Sequence, residues 1–171
     1  MIIKATCRTE YNPTDAHFSR EGFQRVWDTG VLQEAGFSSP TNVEETNEDL
    51  KEATDYHALI DGKDARVAFR AQRGFNWGTF TVRSSRSSGC YTEWGKYLAK
   101  VNHGAPGPDY VIHAYISDVT VFALAETKTI VRAIREKHCG ENSSNARFFY
   151  VQWDDIEKFY PDALLLRYPK S

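Results

Sequence analysis

Thr54-Asp55-Tyr56-His57-Ala58-Leu59-Ile60-Asp61-Gly62-Lys63-Asp64-Ala65-Arg66-Val67-Ala68-Phe69-Arg70-Ala71-Gln72-Arg73 consists of two alternating apolar and polar runs around a glycine-containing turn. The pattern predicts two antiparallel strands joined by a tight loop. A two-residue loop fixes the parity. Tyr56, Ala58 and Ile60 then share a face with Ala65, Val67 and Phe69. Asp55, His57 and Leu59 share the other face with Arg66, Ala68, Arg70 and Gln72. Parity leaves the register open, with Asp55 opposite Ala68, Arg70 or Gln72. Each choice puts the Asp55 carboxylate and the Arg70 guanidinium on one face. Such a pair is either an ion pair on a solvated sheet face or the start of a reactive site.

Upstream, Ile2–Thr6 reads as a short strand. Pro13-Thr14-Asp15 opens a helix over 16–34, with Phe18, Phe23, Val26, Trp27 and Val31 at roughly helical spacing and a break near Gly30. The polar stretch from Gly36 to Asn47, with Pro40, reads as an ordered loop, and Glu44 to Glu52 as an acidic helical turn. Downstream, Gly74–Gly78 is a turn and Thr79–Arg83 a third strand. Ser84 to Cys90 is rich in Ser and Gly.

Thr92 suits an N-cap for a helix over 93–102. Trp94, Tyr97, Leu98 and Val101 form its apolar stripe, with Glu93, Lys96 and Lys100 opposite. His103-Gly104 and Pro106 stop it. Strands follow over 109–116 and 119–125, then a helix over 127–138, a strand over 146–152 and a terminal helix or turn over 154–159. The expected fold is a mixed α/β arrangement: a helix, an antiparallel hairpin and meander, then α-β-β-α-β. No repeat or linker divides it, so residues 1–171 are expected to form a single domain.

The formal net charge of −2 hides an asymmetry. Residues 1–62 hold 5 Lys/Arg against 12 Asp/Glu, whereas 63–100 hold 8 against 2. The basic block contains Lys63, Arg66, Arg70, Arg73, Arg83, Arg86, Lys96 and Lys100, interleaved with Phe75, Trp77, Phe80, Tyr91, Trp94 and Tyr97. It suits a polyanion, unless strand alternation divides the charges between two faces. Phe75 and Trp77 suit stacking on unpaired bases or, as the safer expectation, capping the core at the hairpin end.

Cys7, Cys90 and Cys139 are isolated, and the five histidines form no metal motif. Free thiols in a reducing cytoplasm are expected. No apolar run approaches the ~20 residues that span a bilayer, and Met1–Thr6 carries no signal-peptide pattern.

Taken in order, these segments resemble the PD-(D/E)XK, or restriction-endonuclease-like, nuclease superfamily, in particular its small phage and bacterial resolvase-like members. The matching pieces are Thr54–Ile60, Val67-Ala68-Phe69-Arg70, Phe80–Arg83, Thr92-Glu93-Trp94-Gly95-Lys96, Asp109–Ile112 and Phe148–Ile156. They cover roughly residues 15–160. The resemblance implies a DNA endonuclease that hydrolyses phosphodiester bonds with Mg²⁺ or Mn²⁺. It makes Asp55 the first metal ligand and Arg70 the basic residue, with Gln72 following on the same face. With DNA as the partner, Arg66, Arg73 and Arg83 of the basic block are candidate contacts, as are Lys96 and Lys100, one helical turn apart, unless those two lysines lie on an ordinary solvated face.

The family expects an acid or Gln two residues before the basic position, and here that residue is Ala68. Glu93 is the first candidate for the missing ligand and Glu21 the second, while Asp61 falls at the hairpin tip. His57 shares the Asp55 face and suits either proton transfer or an ordinary structural role. A homodimer would bring two sites to two strands, although no stretch marks a dimer face. Ala68 also favours an alternative: a degenerate nuclease fold that binds nucleic acid or an acidic protein without cutting.

Overall fold

The computed structural model describes residues 13–43, 54–85, 92–142 and 147–170. The expected strand Ile2–Thr6 and the acidic turn Glu44–Glu52 lie outside the described residues, as does most of the Ser/Gly stretch after Ser85.

Helix α1 (Pro13–Asp28) buries Phe23 and Val26. The Val26 and Trp27 carbonyls accept the Thr29 and Gly30 N–H groups, and Gly30 turns the chain at φ 80°. A single turn, α2 (Val31–Glu34), follows and buries Leu32. The interrupted helix read from the sequence is therefore present, starting three residues earlier.

The first strand, β1 (Phe37–Asn42), falls where a loop was expected. It tolerates Pro40 because it is an edge strand, and its register slips between Ser38 and Thr41. The hairpin follows as β2 (Tyr56–Ile60) and β3 (Lys63–Arg73). Asp61 and Gly62 form its two-residue loop at φ 51° and 80°, the positive-φ pair of a type I′ turn. Ile60 pairs with Lys63 and Tyr56 with Val67, which settles the open register: Asp55 falls beside Ala68.

Strand β3 then pairs in parallel with β5 (Tyr110–Ile116), the one parallel pairing among the described strands. Antiparallel β6 (Thr120–Glu126) and β9 (Leu165–Tyr168) complete a six-stranded mixed sheet ordered β1-β2-β3-β5-β6-β9.

The third strand, β4 (Thr79–Arg83), is formed but does not extend the hairpin. It pairs with β8 (Phe148–Gln152), and β8 with β7 (Gly140–Asn142), as a separate three-stranded sheet. The antiparallel meander is instead β1-β2-β3. Helices α3 (Glu93–His103), α4 (Thr127–Arg135) and α5 (Trp153–Phe159) complete the α-β-β-α-β order, with β7, α5 and β9 added to it.

Alternation along the large sheet produces two cores. One face carries Tyr56, Val67, Phe69, Ile112, Phe122 and Leu124 beneath α1. Phe23 stacks on Tyr56 at 3.8 Å between centroids and meets Phe69 edge-on at 5.4 Å. The other face carries Ala68, Val111, Tyr115 and Ala123 beneath the small sheet and α3 to α5. There Trp153 packs against Phe80 and Tyr115 with centroids 6.1 and 5.8 Å away. On α3, Tyr97 is buried, but Val101 at the end of its expected stripe is exposed. Cys139 is a free, half-buried thiol. No helix among the described residues is long and apolar enough to cross a membrane.

These layers separate two truncations. Phe80→Ala should cost about 3–5 kcal/mol through lost burial and a residual cavity, whereas Val101→Ala should change stability by less than about 0.5 kcal/mol. Urea unfolding of both variants checks this, and similar losses would contradict the placement of β4 over the large sheet.

Candidate functional site

Asp55 stands just before β2, where the hairpin ladder ends. Its own N–H donates to the Val67 carbonyl at 2.9 Å. Its carboxylate then takes over as acceptor: Oδ2 receives the Phe69 N–H at 2.7 Å. The side chain is thus held against β3 by the backbone of the residue preceding Arg70.

Asp55, Ala68, Phe69, Arg70, Thr81, Glu93, Tyr97, Val111 and His113 line one small cavity. It offers about 20 Å³, room for roughly one water.

Glu93 reaches this cavity because α3 begins there. Thr92 precedes the helix but does not cap it through its side chain; its hydroxyl donates instead to the Ser84 carbonyl at 3.3 Å. In the first turn, Glu93 Oε1 accepts from Arg70 Nη2, forming an ion pair. The same oxygen accepts the Arg83 N–H at 3.1 Å. Tyr97 also hydrogen-bonds to Glu93, and burial together with the Glu93 charge pushes its phenol well above the ordinary value. Glu93 is therefore not on the solvated face of α3 with the lysines.

His113 is a site residue that the sequence reading missed. It sits in the apolar run Tyr110-Val111-Ile112-His113-Ala114-Tyr115-Ile116, beside Arg70 in the β3–β5 register. Its Nδ1 accepts the Thr81 N–H at 3.2 Å, so the ring proton belongs on Nε2, which donates to Gln72 Oε1 at 3.2 Å. Its ring stacks on Tyr115 at 4.7 Å. Burial, with the Arg70 charge adding to it, holds the imidazole pKa well below the ordinary value. The single signal was a polar residue within an apolar strand run. Gln72 shares the sheet face of Arg70 but binds His113 rather than lining the cavity.

The basic block divides as strand alternation allows. Arg70 and Arg83 both lie over the Phe148 ring, at 5.6 and 5.1 Å. Arg73 turns to the other face of the sheet, over Phe18 at 3.9 Å and beside Asp15 at 4.0 Å, so it is removed from the cavity. Lys100 is paired with Asp109 at 3.1 Å, and the same carboxylate accepts the Arg66 N–H at 2.9 Å. Lys96 lies one turn before Lys100 on α3. Arg66 and His57 are cross-strand partners on the Asp55 face, outside the cavity wall.

Glu21 is exposed, pairs with His17 at 3.0 Å and belongs to α1 on the opposite face, so it is no candidate ligand. Asp61 is exposed at the hairpin loop. Phe75 and Trp77 do not cap the core: they are 70% and 62% exposed.

Among the described residues no three His, Cys, Asp or Glu side chains gather as a metal cage. Mg²⁺ and Mn²⁺, however, also bind through one or two carboxylates completed by waters and substrate oxygens. Asp55 and Glu93 on one cavity fit such an ion in donor type. The competitor is Arg70, which already holds Glu93.

No family model matches the chain, and no curated protein matches it. Among solved structures, the Holliday junction resolvase Hjc of Archaeoglobus fulgidus aligns over 83% of this chain and 93% of its own, at 14% identity and a TM-score of 0.35. That distance supplies no residue correspondence, so the site is described by its own geometry.

The His113 environment has a pH signature. Its folded-state pKa lies below its unfolded value, so the unfolded chain binds the extra proton and stability falls as pH drops through ~6.5. The slope should approach but not exceed about 1.4 kcal/mol per pH unit between pH ~6.5 and ~5. Replacing the imidazole in His113→Gln should flatten it. Chemical denaturation across that range checks this; an unchanged slope in the variant would contradict a buried neutral ring.

Proposed function

We propose that this protein is a metal-dependent DNA endonuclease of resolvase-like type, acting at the Asp55–Arg70–Glu93 cavity. One observation carries the reading: an acid at the hairpin root, a guanidinium on β3 and an acid at the start of α3 meet on one small cavity. Asp55 and Glu93 would hold Mg²⁺ or Mn²⁺, which would polarise a phosphodiester and lower the pKa of a bound water.

The chain's own groups have separate parts. Asp55, fixed by the Phe69 N–H, presents an oriented carboxylate. Arg70, released from Glu93, turns its guanidinium to the phosphate, where it stabilises the charge that develops during displacement. His113, neutral and hydrogen-bonded at both nitrogens, positions Gln72 without adding a second cation beside Arg70. DNA is the partner in this reading, and a homodimer would cut both strands.

Ala68 favours a second reading. A methyl group stands where the resembled family places an acid or Gln, and the Arg70–Glu93 pair already balances part of the cavity charge. The chain would then be a degenerate nuclease that binds nucleic acid, or an acidic protein, without cleavage.

Nicking of plasmid and branched DNA in Mg²⁺ or Mn²⁺ against EDTA separates the two. Under the first reading, wild type nicks DNA only with metal and Asp55→Asn falls to background. Glu93→Gln should lower the rate by about 10²-fold, the scale of losing one preorganised charge contact. An Asp55→Asn protein that cuts as fast as wild type would end this mechanism. If wild type is inert and Ala68→Glu creates a metal site detectable by calorimetry, the binding-only reading holds.

A further inference from the structure

The turn between β3 and β4 places bare aromatic surface where the chain passes from one sheet to the other. Phe75 and Trp77 are 70% and 62% exposed, the most exposed large rings among the described residues. Their rings meet edge to face with centroids 4.9 Å apart, a geometry that leaves open ring faces. The turn that carries them is built. Asn76 Oδ1 accepts the Gly78 N–H at 2.9 Å, and the Gly78 carbonyl accepts the Trp153 N–H at 2.8 Å. Gly74 and Gly78 take φ 97° and 63°, a backbone region costly for other residues. Rings on a fixed turn lose little further freedom when something stacks on them.

The occupant follows from position, area and charge. The turn joins the strand of Arg70 to the strand of Thr81, and both residues line the proposed cleavage cavity. The five residue steps from Arg70 to Phe75 reach at most about 17 Å, the span of about five phosphates along a stacked strand at ~3.4 Å each. Two aromatic side chains bury some 150–250 Å² each when covered completely, so these two partly exposed rings offer roughly 300 Å². That is well short of the ~800 Å² per partner of a stable protein interface, but it matches one or two flat bases. Arg70 and Arg83, both over the Phe148 ring, supply the cationic groups on the cavity side, which suits a phosphate backbone there.

We propose that Phe75 and Trp77 form a stacking platform for unpaired bases of a DNA strand whose phosphates lie at the Arg70 cavity. The proposal rests on the nucleic-acid reading above and narrows its substrate to DNA with unpaired nucleotides beside the scissile region.

Equilibrium binding of three end-labelled DNAs at one fixed salt concentration tests this: a single strand, a duplex with an unpaired tail and a blunt duplex. The double variant Phe75→Ala/Trp77→Ala should lose about tenfold or more on the first two DNAs, and less than about twofold on the blunt duplex. Trp77→Phe, which keeps a ring, should retain most of the affinity. Both positions are exposed, so circular dichroism should show an unchanged fold.

Unaltered affinity of the double variant on all three DNAs, with Arg70→Gln still weakening binding, would overturn the platform and leave the cleavage cavity standing. An equal loss on blunt and unpaired DNA would overturn it too. Wild type that binds none of the three would overturn both readings. A wild-type dimer that the double variant dissolves, with DNA affinity unchanged, would make the rings a self-association surface and overturn the platform.

Discussion

The parallel pairing of β3 with β5 is the constraint on which the site depends. Antiparallel neighbours can be joined by two residues, as Asp61-Gly62 joins β2 to β3. Parallel neighbours cannot: the chain must return to the starting edge by a crossover. Residues 74–109 make that return, and they contain the aromatic turn, β4 and α3. The crossover covers one face of the large sheet. In doing so it lowers Thr81, Glu93 and Tyr97 onto Arg70 and His113, which the two parallel strands hold side by side. An antiparallel β3–β4 hairpin would have left Arg70 on an open sheet face.

Within the cavity, hydrogen bonds to the backbone do most of the positioning. The Phe69 N–H holds Asp55, the Arg83 N–H holds Glu93 and the Thr81 N–H holds His113. Each donor belongs to a strand whose own register fixes it. The side chains are therefore oriented by secondary structure rather than by one another, and the Arg70–Glu93 pair closes an arrangement already set by the strands. A charge drawn partly out of water is costly unless paired and hydrogen-bonded, and half-buried Glu93 meets both conditions.

The hairpin was legible because alternation and a glycine turn fix parity, and parity alone put Asp55 and Arg70 together. Glu93 was legible as a candidate because Thr92 marks where a helix starts. Other features left weaker traces. The strand Phe37-Ser38-Ser39-Pro40-Thr41-Asn42 has loop composition and exists because the edge of β2 offers it partners. Leu165–Tyr168 pairs with β6 at the other edge and was likewise missed. His113 lay in a strand covered on both faces, where apolar residues run continuously and periodicity no longer distinguishes the sides. The separation of Arg73 from Arg70 follows from alternation along β3. The transfer of β4 to another sheet does not, because a strand's own pattern carries no record of its partner.

The Arg70–Glu93 pair also bears on selectivity. Two carboxyl side chains, Asp55 and Glu93, share the cavity with one guanidinium, Arg70. Under the proposed reading, a cation that entered would compete with a guanidinium for Glu93, and an anion with a carboxylate for Arg70. Occupation is consequently an exchange of partners rather than an addition to vacant sites. A monovalent ion brings no more charge than the group it would displace and gains little by replacing it. A divalent cation arriving with a phosphate can satisfy both liberated partners together. Under the nuclease reading proposed above, the pair would act as a coincidence detector, favouring the two ligands jointly over either alone.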